Sequence, residues 1–334
     1  MAVAGLLILG SLGCNQKTAA PTDAPPQPSE AKEIAQPADA TPATSPEEVE
    51  AWAAACERGS MPPCFRLAFA YGEGVGLTKD ANKAATLYER ACQGGHTDSC
   101  VNLGVMYTEG SDIKRDASRG AALADKACQG GAMQGCYNLG VMLATGALVP
   151  QDEAMAAKLF EKACQGGTTD GCFYLGAMYQ QGKGVAIDTT RAATLFDTGC
   201  RGGAAAACFA LGQMFDATSE LLYAQGKTAI LRDPAEASAI YEMACHDGQW
   251  DACNNLGAML VEGTGIKKDV IRAVGLYDKA CQGGNMEGCF NLGVMFANVT
   301  KEPAKAISFF DKACQGGMVT ACTARDDLAR NQSR

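Results

Sequence analysis

Apolar and polar residues recur along this chain with the period of a helix, and the pattern restarts at regular intervals. In one stretch Cys100, Leu103, Gly104 and Tyr107 fall at i, i+3, i+4 and i+7, one face of a helix. Gly110 and the polar residues up to Asp116 break it. A second helix then runs to Cys128, and Gly130-Gly131 closes it at a C-terminal cap. Its core slots recur elsewhere as Ala84, Leu87, Tyr88, Ala91 and Cys92, as Ala156, Leu159, Phe160, Ala163 and Cys164, and as Ala273, Leu276, Tyr277, Ala280 and Cys281. Large and small residues alternate in both helices, as interdigitated packing requires. Gly104, Gly140, Gly176, Gly212, Gly257 and Gly293 share one slot of the first helix, where a missing side chain lets helices approach closely. Before the second helix stand Asp80, Asp116, Asp152, Asp188, Asp233 and Asp269. A periodic carboxylate invites a metal or catalytic reading. Capping explains it better, because Asp is a favoured helix N-cap and Pro234 follows Asp233 where proline suits a first turn.

Cysteine spacing fixes the register of the repeat. Of 17 cysteines, all but Cys14 fall in pairs: Cys56/Cys64, Cys92/Cys100, Cys128/Cys136, Cys164/Cys172, Cys200/Cys208, Cys245/Cys253, Cys281/Cys289 and Cys314/Cys322. The first members recur at steps of 36, 36, 36, 36, 45, 36 and 33 residues. A fixed period of this size marks a repeat array. Each pair spans the end of one helix and the start of the next, so a disulfide would staple that turn and contribute about 2–3 kcal/mol in the entropic model. Zinc is the competing reading, but zinc sites use closer spacing, and no metal or other cofactor is expected. Paired cysteines at this density imply an oxidising compartment. Seven full helix pairs are predicted, starting at Cys64, Cys100, Cys136, Cys172, Cys208, Cys253 and Cys289. A half unit from about Glu47 to Gly59 leads them and one from Met318 to about Asn331 closes them. The fifth unit carries an insertion within Phe215 to Arg232, either plain length variation or a functional loop.

With 334 residues the chain would ordinarily suggest two domains, but a stack of repeats grows without a single core. The net charge of −9 argues against nucleic acid and against electrostatic binding to anionic lipid. Two histidines limit acid–base chemistry, and no apolar run is long enough to span a membrane. Residues 1–13 are short and apolar and read as a signal peptide. The stretch Leu9-Gly10-Ser11-Leu12-Gly13-Cys14 resembles a bacterial lipobox, which makes Cys14 the lipidated residue. It departs from that pattern in lacking a preceding Lys or Arg and in having Ser11 where leucine is usual; the alternative is a secretory signal with an incidental cysteine. Residues 14–46 are rich in Pro, Ala, Thr and Glu and read as a disordered tether. The repeat region then covers 47–331.

The Leu103-Gly104-Val105-Met106-Tyr107 segment, the Gly72-Glu73-Gly74-Val75 loop and the Ala-Cys-Gln-Gly-Gly turn resemble Sel-one-like repeats, relatives of tetratricopeptide repeats. The paired cysteines bring the resemblance closer to the Helicobacter cysteine-rich proteins, secreted arrays with one disulfide per repeat. The resemblance implies an all-α fold, a right-handed α/α solenoid superhelix with one disulfide per repeat. It also implies a monomer, exported to the bacterial envelope or secreted, with membrane contact only through the N-terminal lipid.

Such a solenoid has a concave groove lined by its first helices. The residue before Leu-Gly is Asn102, Asn138, Asn255 and Asn291 in four units, and Arg66, Tyr174 and Ala210 in the others. In tetratricopeptide proteins this slot faces the groove. The resemblance therefore implies that Asn102, Asn138, Asn255 and Asn291, with Arg66 and Tyr174, bind a protein, a peptide or a cell-wall fragment. An amide suits the role because it both donates and accepts. The plainer reading is that these residues satisfy helix ends or face solvent. Some members of the cysteine-rich family are called β-lactamases or penicillin-binding proteins. Ser111-Asp112-Ile113-Lys114 fits Ser-x-x-Lys, making Ser111 and Lys114 the catalytic candidates. No Ser-Asp-Asn or Lys-Thr-Gly follows, and Ser29-Glu30-Ala31-Lys32 shows how readily the short pattern arises. His96 and His246 fall in inter-helix turns of different repeats, without a spare thiolate partner. Three classes remain: an envelope binding scaffold, a β-lactam hydrolase, and a secreted effector that engages host or neighbouring cells. The scaffold is the expected one.

Overall fold

A computed structural model of the protein describes residues 46–110, 112–216 and 233–332. The signal and tether residues up to 45, with Cys14, lie outside the described residues, as do Ser111 and the bulk of the insertion at 217–232. All regular structure among the described residues is helical. The helices are α1 (Pro46–Glu57), α2 (Met61–Glu73), α3 (Ala81–Gln93), α4 (Thr97–Glu109), α5 (Ala117–Gln129), α6 (Met133–Thr145), α7 (Glu153–Gln165) and α8 (Thr169–Gln181). They continue as α9 (Thr189–Arg201), α10 (Ala205–Asp216), α11 (Pro234–His246), α12 (Trp250–Glu262), α13 (Val270–Gln282), α14 (Met286–Met295), α15 (Pro303–Gln315) and α16 (Val319–Gln332). As the periodicity predicts, α2 packs with α3, α4 with α5, α8 with α9, α10 with α11, α12 with α13 and α14 with α15, with α1 before them and α16 after.

The chain forms two compact units, one up to Ala156 and one from Ala157. In the first, α1 to α6 each pack on the helix before and after them in sequence. In the second, α8 to α16 do the same. Among the described residues the extensive packings are between sequence neighbours, and it is against these that each hairpin buries its apolar face. Phe65, Ala68, Tyr88, Leu103 and Leu123 share a core in the first unit, and Phe196, Leu211, Tyr241, Leu256 and Tyr277 in the second.

All six aspartates cap the second helices. Asp80 accepts from the Lys83 backbone N–H, Asp116 from Arg119, Asp152 from Met155, Asp188 from Arg191 and Asp269 from Arg272. Asp233 accepts from both Ala235 and Glu236. Five of the first helices end on a left-handed glycine, as at Gly110 with φ 65°. The seventh hairpin does this differently. Its loop is three residues short, and a π turn over Phe296–Thr300 ends on Lys301 at φ 57°.

In four hairpins the shared glycine lets an aromatic ring lie on bare backbone. A Cβ on Gly212 would stand 2.7 Å from the Tyr241 ring, and one on Gly257 2.8 Å from Tyr277. Gly176 meets Phe196 and Gly293 meets Phe310 in the same way. The second hairpin has Ala124 in the aromatic slot, and there Gly104 closes directly on the Gly120 carbonyl.

The eight disulfides join Cys56–Cys64, Cys92–Cys100, Cys128–Cys136, Cys164–Cys172, Cys200–Cys208, Cys245–Cys253, Cys281–Cys289 and Cys314–Cys322. Each ties the end of one helix to the start of the next, across a turn that in six of the eight holds two glycines of different purpose. The second of the pair, such as Gly131 at φ 96°, needs glycine for its backbone. The first does not, since Gly130 sits at φ −75°. It needs glycine for space: a Cβ on Gly94 would strike Met61, on Gly130 Thr97, on Gly202 Thr169, and on Gly283 Trp250. In the one repeat where Ala205 fills the opposing slot, Asp247 replaces the glycine.

Candidate functional site

The slot before Leu-Gly lies one turn into each first helix, beside the second helix of the preceding hairpin. Asn102 on α4 is 1% exposed and donates its amide to the Tyr88 hydroxyl on α3 at 3.2 Å. Burial pushes the Tyr88 phenol well above its usual range, so the hydroxyl keeps its proton. Asn138 is 4% exposed and accepts from Gln134 at 3.2 Å. Asn102 and Asn138 are thus covered rather than open to solvent. Asn255 and Asn291 are half-buried, and Asn291 donates to the Asn254 side-chain oxygen at 2.9 Å. Arg66 and Tyr174 are half-buried too, with Tyr174 stacked on Phe160 at 5.4 Å.

A regularity of the sequence runs alongside these residue types. The side chain 14 positions before the slot belongs to the aromatic position of the preceding second helix. Tyrosine there is followed by asparagine: Tyr88 by Asn102, Tyr241 by Asn255, Tyr277 by Asn291. Phenylalanine is followed by other residues: Phe160 by Tyr174, Phe196 by Ala210. At Tyr88 the buried hydroxyl takes its partner from this slot, whereas Asn291 donates to Asn254 instead. Asn138, which follows Ala124, is the exception and is held by Gln134 instead.

Lys114 is exposed in the loop between α4 and α5, and Ser111 lies outside the described residues. Asp112 between them is paired with Lys79 at 2.9 Å. His96 caps α4, its Nδ1 accepting from the Ser99 N–H at 3.3 Å, and stacks on Phe65 at 4.6 Å. Burial lowers its pKa and keeps the ring neutral, which leaves Nδ1 able to accept. His246 is the last residue of α11 rather than part of the turn, exposed beside Asp247. Among the described residues no group of three His, Cys, Asp or Glu could hold a metal ion, and no helix is long and apolar enough to cross a membrane.

The surface carries a repeated set of ion pairs. Glu89 pairs with Arg119 at 2.5 Å and Glu161 with Arg191 at 2.7 Å, linking successive second helices, and Glu242 pairs with Arg272 likewise. Arg119 also lies over the Tyr107 ring and Arg191 over Tyr179. Such exposed pairs each contribute about 0–1 kcal/mol.

Seven consecutive segments match the family model of the Sel1 repeat, at 64–96, 97–131, 134–168, 169–203, 205–249, 250–285 and 287–318. The chain belongs to the Sel1 repeat family. Among curated proteins none matches it. Among solved structures it is similar to a protective antigen of uropathogenic Escherichia coli displaying an SLR fold, with 26% identity over 84% of this chain and a TM-score of 0.74. The chain spans 59% of that protein's length. A Sel1 repeat protein from Oxalobacter formigenes is 25% identical over 84% of this chain and 80% of its own, with a TM-score of 0.70. Helicobacter pylori cysteine-rich protein B is 32% identical over 39% of this chain and 93% of its own, with a TM-score of 0.33. The Sel1 array is thus a repeat scaffold of the kind that serves protein–protein interaction, and its eight bridges mark an oxidising compartment outside the reducing cytosol.

Proposed function

We propose that the Sel1 array is an envelope scaffold, anchored through a lipid on Cys14, that holds a protein or peptide segment or a cell-wall fragment against its first helices. One observation carries this reading. Tyr174, Asn255 and Asn291 reach solvent from first helices of the second unit, while Asn102 and Asn138 are covered. The open amides can donate and accept along a backbone or a sugar, and the tyrosine adds a flat apolar face. Arg66 on α2 offers a further partly open group in the first unit.

The test begins with crosslinking capture from envelope extract, with Cys14→Ser confirming the anchor by its move to the soluble fraction. Affinity for the recovered partner is then measured for the Tyr174→Ala, Asn255→Ala double variant. Each lost hydrogen bond to an uncharged group costs about 0.5–1.5 kcal/mol, so the pair should weaken binding roughly tenfold. Asn102→Ala is the contrasting variant: it strips a buried hydroxyl of its donor and should lower stability by about 1–3 kcal/mol without a specific loss of affinity. Unchanged affinity in the double variant would place the partner elsewhere on the array.

A further inference from the structure

The eight bridges are not equally sheltered. In six of them both cysteines are buried, and in Cys164–Cys172 the second is 2% exposed. In Cys314–Cys322 both partners are half-buried. The cause is the packing of α16. One side of it, through Ala321, joins Cys281, Cys289 and Ala313, and Arg325 reaches Asp311 on α15 at 2.7 Å. Its other side meets solvent among the described residues, with Val319 75% exposed and Thr320 and Thr323 exposed beside it.

Thiol–disulfide exchange requires a thiolate to reach one sulfur in line with the S–S bond, so access governs which bridge exchanges without unfolding. We propose that Cys314–Cys322 is a redox-responsive bridge, opened by an external dithiol while the other seven stay closed, and that its opening releases α16 from α15. The dithiol's thiolate attacks one bridge sulfur and forms a mixed disulfide. The other cysteine leaves with the electron pair and takes a proton. The dithiol's second thiol then displaces the first cysteine as a thiol and closes the dithiol's own disulfide. Two electrons and two protons pass to the bridge in all. Without it, α16 relies on contacts such as its apolar edge and the Arg325–Asp311 pair, weak support for a helix of 14 residues.

The experiment uses the folded full chain with dithiothreitol as the probe. Free thiols are blocked first, reduction is quenched by alkylation at successive times, and each cysteine is located by peptide mapping. Alkylation of Cys314 and Cys322 is expected at least tenfold faster than at any other paired cysteine. Hydrogen exchange over 319–332 should rise at the same rate while 303–315 stays protected. Simultaneous opening of all bridges, or Cys164–Cys172 opening first, would overturn the selectivity. Reduction of Cys314–Cys322 with α16 still protected would overturn the release. The Cys314→Ala, Cys322→Ala variant should show fast exchange over 319–332 from the outset, and wild-type protection there would count against the proposal.

Discussion

Gly257→Ala is expected to destabilise the second unit by about 1–3 kcal/mol, the usual cost of forcing a methyl group into a filled core. The added Cβ would stand 2.8 Å from the Tyr277 ring, which is 4% exposed and has nowhere to turn. Gly283→Ala meets an aromatic side chain at least as closely, that of Trp250, yet should change stability by less than about 1 kcal/mol. Trp250 is 39% exposed and can swing outward, and Gly283 has an ordinary φ of −73° that alanine adopts freely. Urea midpoints of the two variants decide between space in a core and space at a surface. Equal losses would show that the hairpin glycines are not packing devices.

Removing one bridge, by Cys128→Ala with Cys136→Ala, should cost about 2–3 kcal/mol, because it frees a short loop in the unfolded chain. The melting midpoint should fall by several degrees while the helical circular dichroism at low temperature stays close to wild type. The helices on either side keep their own contacts, with Ala127 set against Gly135 across the turn. An array of this kind melts by neighbouring units, so the loss should appear as an earlier, broader transition rather than as global collapse. Loss of the helical signal in the folded state would mean that the bridges build the hairpins instead of bracing them.

Much of the fold was legible in the chain. Periodicity and cysteine spacing gave seven hairpins, and the aspartates were readable as caps because an N-cap is a local device with a local signature. What escaped is non-local. Gly94 and Gly130 look like turn residues in sequence, but their reason lies in Met61 and Thr97, 33 residues earlier. Asn102 looks like a groove residue until Tyr88 is seen against it. The signal for that pair was present, since asparagine follows tyrosine but not phenylalanine at the same offset. Finding it required knowing that the two slots touch across a repeat boundary. The π turn at Phe296–Thr300 was visible only as a missing three residues, and length alone does not say how a loop is shortened.

The central claim is that this is a stack of hairpins, each stapled to the next by its own disulfide. A peptide map of the non-reduced protein tests it most directly. The account predicts eight crosslinks, each between cysteines eight positions apart, with Cys92 on Cys100 and Cys281 on Cys289 as the clearest cases. Crosslinks between distant repeats, or free thiols at the paired positions, would contradict it.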